Sequence, residues 1–97
     1  MALKIVFSDD GIETLLLTTS FIENKWGLKQ AYKFLETVYK KLILASLNPY
    51  MYKAFMLSDN IRVGLISKQT SFFYRIQENE IVILFFWDNR QEPFFNP

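Results

Sequence analysis

Apolar positions follow two different periods along this chain, and the change falls at Asn48-Pro49. Ahead of it, Lys4-Ile5-Val6-Phe7 is short, apolar and β-branched, which predicts a first strand. Ser8-Asp9-Asp10 follows, a run of helix-capping residues. With Asp10 as the cap, Glu13 completes a capping box. Ile12, Leu15, Leu16 and Ile22 then recur at helical spacing, and this helix should end near Asn24-Lys25-Trp26-Gly27, with Gly27 relieving the backbone. Leu28, Ala31, Leu35, Val38, Leu42 and Ala45 recur at steps of three and four, one apolar stripe on a second helix. Lys29, Lys33, Glu36 and Lys40 fall opposite, and Pro49 stops the helix because the residue before proline is pushed out of helical geometry. Two helices of similar length joined by a short corner imply an antiparallel hairpin.

After Pro49 the period becomes two. Ile61, Val63 and Leu65 alternate with Arg62, Gly64 and Ile66. Ser71 to Ile76 predicts a further strand and Glu80 to Trp87 another, with Glu78-Asn79 as the turn between them. The last strand is apolar on both faces, which suits an interior place in a sheet. Residues 50–60 fit either a loop or a frayed extra strand. Pro93 and Pro97 make the tail a poor continuation of the last strand. The order β-α-α-β-β-β over residues 1–97 predicts a single α+β domain, an N-terminal helical hairpin packed on a mostly antiparallel sheet.

Composition narrows the chemistry. Of 97 residues, 51% are apolar and 18% aromatic, so a packed core is within reach at this length. Ten phenylalanines and two tryptophans imply either an aromatic-rich interior or a surface that a partner covers. The chain holds no cysteine and no histidine. That removes disulfides, thiolate zinc sites, histidine bases and histidine metal ligands. No cofactor, metal or small-molecule substrate is expected. The longest apolar run, Ile81 to Trp87, is too short to span a bilayer. The N-terminus lacks the pattern of a signal peptide. A soluble cytoplasmic protein is expected, with no membrane partner.

The net charge is only +1, but it is uneven. Residues 1–27 carry −2, residues 28–77 carry +6 and residues 78–97 carry −3. The middle is basic, yet the whole lacks the strong excess that marks a nucleic-acid binder. Four side chains are candidates for chemistry or target contact: Lys68, Arg75, Trp87 and Arg90. Each has an ordinary alternative. Arg90 follows a strand and could be a solvated charge, Trp87 could be core, Lys68 could solvate the bend between strands, and Arg75 could point outward beside a core Tyr74. Arg62 could pair with Asp59 or Glu80.

Several short motifs then fall in a telling order. Ile5-Val6-Phe7-Ser8 opens the chain, Trp26-Gly27 turns the helical corner, and Leu47-Asn48-Pro49 ends the second helix. Phe73-Tyr74-Arg75-Ile76 forms a strand, and Ile81-Val82-Ile83-Leu84 precedes the tail Asn89-Arg90-Gln91-Glu92-Pro93. Together they resemble the RelE/ParE superfamily of bacterial toxins from type II toxin–antitoxin systems, over nearly the whole chain. The resemblance implies a cytoplasmic toxin, of the kind linked to plasmid stabilization, silenced by a cognate antitoxin protein. It also implies one of two targets. RelE-like members cut mRNA on the ribosome, whereas ParE-like members bind DNA gyrase and are not enzymes.

RNA cleavage without metal requires one group to take a proton, another to give one, and a cation for the phosphorane charge. On the RelE-like reading Lys68, Arg75 and Arg90 would supply these. Tyr74 and Arg75 are adjacent on a strand and point to opposite faces, so they cannot line one pocket. The RelE-like pattern places an arginine where Ser71 stands, and a tyrosine beyond the tail arginine where this chain has Phe94 and Phe95. A phenyl ring cannot transfer a proton. Four acids in the last twenty residues also oppose docking among phosphates. These departures favour the ParE-like branch, a gyrase inhibitor that contacts its target through Arg90, Trp87, Arg75 and Lys68. Gln91 stands where that branch often has a second arginine. A ribosome-dependent mRNA endonuclease, with the ribosome and mRNA as partners, is the alternative. A non-toxic member that only binds an antitoxin is a third.

Overall fold

The computed structural model describes residues 2–56 and 58–91. The expectations for Glu92, Pro93, Phe94, Phe95 and Pro97 lie outside them. The element order is β1 (Lys4–Phe7), α1 (Asp9–Trp26), α2 (Leu28–Leu47), β2 (Lys53–Phe55), β3 (Ser58–Ser67), β4 (Thr70–Ile76) and β5 (Glu80–Asp88). The five strands form one sheet in the order β1-β5-β4-β3-β2. β1 runs parallel to β5 and every other pair is antiparallel. The ambiguous stretch after Pro49 holds the extra edge strand β2, so the hairpin is followed by four strands rather than three. Arg62 ties that segment down. Its Nη1 donates to the Tyr52 carbonyl at 2.9 Å, Nη2 meets Asp59 at 2.9 Å, and its guanidinium lies 4.9 Å from the centre of the Tyr50 ring.

The core forms where the helices meet one face of the sheet. Val38, Leu42 and Ala45 of α2 pack with Ile66, Phe72, Tyr74, Ile81, Ile83 and Phe86. A bulge at Leu84 makes this possible. Phe73 pairs with Phe85 but Tyr74 pairs with Ile83, so β5 shifts by one residue and Phe86 joins Ile81 and Ile83 on the helix side. The opposite face is apolar as well. Phe73 stacks on Phe85 at 4.5 Å and meets Phe55 edge-on at 5.1 Å, which explains why β5 reads as apolar throughout.

Three sequence expectations are corrected. The cap of α1 is Ser8, not Asp10. Its Oγ accepts from the Gly11 N–H at 3.0 Å and lies 2.9 Å from the Leu84 carbonyl, fastening the helix start to β5. Gly11 is buried there, and a Cβ on it would stand 2.3 Å from the Ile83 carbonyl oxygen. The buried face of α1 also differs from the apolar pattern. Ile12 and Leu16 are exposed, while Thr14, Leu15 and Thr18 turn inward. Threonine fits because its hydroxyl is satisfied locally. Thr14 Oγ1 donates to the Asp10 carbonyl at 2.6 Å and accepts from the Phe86 N–H at 2.9 Å, and Thr18 Oγ1 donates to the Thr14 carbonyl at 2.8 Å. Of the α2 stripe, Ala31, Val38, Leu42 and Ala45 are buried, but Leu28 and Leu35 are exposed. On β3 the core side is Gly64 and Ile66, and Leu65 faces outward.

Candidate functional site

A groove of about 620 Å³ opens where the helical hairpin overhangs the end of the sheet. Gly27 makes the hairpin corner. Its φ of +94° is accessible to glycine at little cost, and its N–H closes α1 on the Glu23 carbonyl. The helices then present Leu17, Phe21, Ile22 and Trp26 from α1, and Gln30, Lys33, Phe34 and Thr37 from α2. The floor is Ile66, Thr70 and the β3–β4 turn, and the far wall is Asp88, Arg90 and Gln91. Phe21 and Trp26 meet edge-on at 6.0 Å, with Lys25 Nζ 5.2 Å from the centre of the Trp26 ring. The lining is therefore an aromatic wall facing an arginine.

Arg90 is held in place by its neighbours. Asn89 fixes the chain leaving β5. Its backbone N–H donates to the Gln69 carbonyl at 2.8 Å, its Oδ1 accepts from the Ser71 hydroxyl at 2.8 Å, and its Nδ2 donates to the Lys68 carbonyl at 3.3 Å. Asp88 then takes Arg90 in a two-pronged pair, Nε to Oδ1 at 3.0 Å and Nη2 to Oδ2 at 2.9 Å. The same Oδ1 accepts from the Arg90 N–H at 2.9 Å. The guanidinium lies 5.8 Å from the centre of the Phe21 ring. The hydrogen bond from Arg90 holds the Asp88 carboxyl below its ordinary range, and Asp88 raises Arg90 in return. Arg90 thus keeps its charge but already has an anionic partner.

The four sequence candidates do not converge. Arg90 lines the groove. Lys68 sits in the exposed β3–β4 turn at the same end of the sheet, tied to Asn89 through its carbonyl. Trp87 alternates with Phe86 and Asp88, so it lies on the face away from the helices. Arg75 is exposed toward the other end of β4, five residues from Thr70, about 17 Å along a strand. It donates to Gln77 Oε1 at 3.0 Å. Tyr74 lies in the core, where its hydroxyl donates to the Pro49 carbonyl at 2.5 Å. Burial pushes it up to about 12, partly offset by the Arg62 charge. It is a structural strut joining β4 to the end of α2. Among the described residues no cluster of acidic side chains could hold a metal ion.

The sequence did not single out Phe21, Phe34, Asp88 or Asn89 as site residues. Phe21 and Trp26 carry a readable signal, two large aromatics near the end of one helix. The roles of Asp88 and Asn89 depend on the pairing of β5 with the β3–β4 turn, which has no local signature.

No protein-family model matches the chain, and no curated protein matches it in sequence. Solved structures do. The chain is similar to the structure described as a chromosomal ParDE TA system from P. aeruginosa, at 12% identity and a TM-score of 0.75, covering 90% of this chain and 96% of that one. It is similar to a YoeB/ParE toxin from Agrobacterium tumefaciens, at 12% identity and 0.65, covering 90% and 99%. It is also similar to a YoeB dimer from Staphylococcus aureus, at 15% identity and 0.60, covering 88% and 94%.

Proposed function

From the RelE/ParE toxin fold that this chain adopts, we propose that it is the toxin of a type II toxin–antitoxin system, acting in the cytoplasm by binding DNA gyrase and silenced by a cognate antitoxin. One observation carries the choice of target. The groove holds a fixed arginine against an aromatic wall, while Arg75 and Tyr74 stand apart from it. Arg75 is about 17 Å away along β4, and Tyr74 is committed to the Pro49 carbonyl. With Arg90 already paired to Asp88 and neither Arg75 nor Tyr74 at the groove, the groove suits docking onto a protein surface rather than acid–base chemistry. Aromatic anchors beside an arginine are the usual makeup of a binding hot spot. The antitoxin would cover the same aromatic wall and so keep the target away.

The test is purified gyrase with relaxed plasmid. The wild-type chain should block supercoiling and accumulate cleaved DNA, and Arg90→Ala should lose that effect at an unchanged thermal midpoint, since its pair with Asp88 is exposed. If gyrase is untouched and codon-adjacent mRNA cuts appear on translating ribosomes instead, the gyrase reading is wrong. Cuts that then depend on Lys68 and Arg90 would favour the endonuclease.

A further inference from the structure

Away from the groove, α2 carries an apolar stripe that none of the described residues covers. Leu28, Tyr32, Leu35 and Tyr39 are separated by steps of four, three and four, the spacing of a coiled-coil seam. They are 57%, 66%, 38% and 68% exposed. The seam spans twelve residues, about 17 Å of helix. It lies on one flank of α2, while Gln30, Phe34 and Thr37 line the groove from the other. Lys29 and Glu36 border the seam on its solvent side, and with Leu28 and Tyr32 they line a shallow depression.

We infer that this stripe is a homodimer interface in which α2 pairs antiparallel with α2 of a second copy. The stripe is self-complementary. A two-fold axis between positions 33 and 34 sets Leu28 against Tyr39 of the other copy and Tyr32 against Leu35, so a large side chain always meets a smaller one. The same operation sets Lys29 of each copy beside Glu36 of the other, two opposite-charge contacts from one pair of residues, as a symmetric interface requires. Lys40 is exposed further out from the seam, and Lys33 borders both the depression and the groove. At roughly 200 Å² per large side chain, the exposed fractions leave on the order of 450 Å² per helix. About 900 Å² in total falls below the ~1,200 Å² where stable interfaces begin. The dimer is therefore weak and concentration-dependent. It is independent of the target proposed above and leaves the Arg90 groove open.

Sedimentation equilibrium of the purified chain over a concentration series tests this. The wild type should shift from monomer to dimer. Lys29→Glu and Glu36→Lys each turn both cross-interface pairs repulsive, and each should weaken the dimer about tenfold, exposed pairs being worth a factor of a few apiece. Mixing the two variants restores both pairs in the heterodimer, so the mixture should associate where neither variant does alone. Tyr32→Glu should leave a folded monomer, checked by its helical circular dichroism. A wild type that stays monomeric throughout overturns the inference and leaves the stripe for a different, acidic helix. A dimer indifferent to Lys29→Glu and Tyr32→Glu overturns it too, because its interface then lies elsewhere.

Discussion

Tyr74 serves the structure from within the core. It is fully buried, it stacks 5.6 Å from Phe72, and its hydroxyl bonds the Pro49 carbonyl. Tyr74→Phe should cost about 1–2 kcal/mol in urea unfolding, the loss of one buried hydrogen bond. The pH dependence has a definite sign. An unfolded tyrosine titrates near 10 and the folded one at about 12. The unfolded chain therefore releases this proton first, so stability is full below about pH 10 and falls as pH rises toward 12. That fall is on the order of 2 kcal/mol, and a pH series of melts should find most of it missing in Tyr74→Phe. Tyr52, also raised by burial, accounts for a remainder. Arg90 and Asn89 pose the opposite case. A lone arginine after a strand has no sequence feature that separates a solvated charge from a fixed one. The distinction comes from Asp88, Ser71 and Gln69, which the β4–β5 and β3–β4 pairings bring together. Asn89→Ala should leave the fold intact but weaken target inhibition, measured with the same gyrase assay, because it frees the segment that aims Arg90.

At the scale of elements, the boundaries were more legible than the faces. The corner at Trp26-Gly27, the stop at Asn48-Pro49 and the spans of β4 and β5 follow from capping and period. The buried side of α1 did not, because Thr14 and Thr18 sit inward with their hydroxyls returned to the helix backbone, and a count of apolar residues scores them as polar. The start of α1 was misplaced for a related reason. Asp10 and Glu13 make a good local capping box, but Ser8 also bonds β5, and that long-range contact decides the cap. Gly11 follows from the same close approach. Gly11→Ala forces a Cβ against the Ile83 carbonyl and should cost about 1–3 kcal/mol through overpacking, measured by chemical denaturation. A Gly11→Ala chain as stable as wild type would mean that α1 does not rest on β5 as described. The bulge at Leu84 was equally hidden, since an alternation interrupted by one residue in an all-apolar strand leaves no trace in the sequence.

Across the whole molecule, the aromatic surplus in the composition divides three ways. Phe72, Tyr74 and Phe86 fill the core between helices and sheet, Phe55, Phe73 and Phe85 cluster on the opposite face, and Phe21 and Trp26 wall the groove. The last group stands at a surface with a fixed cation opposite, which is why the proposed target contact is placed there. The charge distribution fits this picture. The basic middle of the chain supplies Lys29 and Lys40 on the outer side of α2, while Asp88 lowers the charge around Arg90, a poor arrangement for a phosphate-lined ribosomal site. On the function proposed above, this chain stops replication by engaging gyrase through that groove. Pulse labelling after tightly controlled induction, following thymidine and methionine incorporation in the same culture, tests it most directly. Thymidine incorporation should fall first, with Arg90→Ala losing the effect. Methionine incorporation falling first would contradict the account and assign the groove to translation instead.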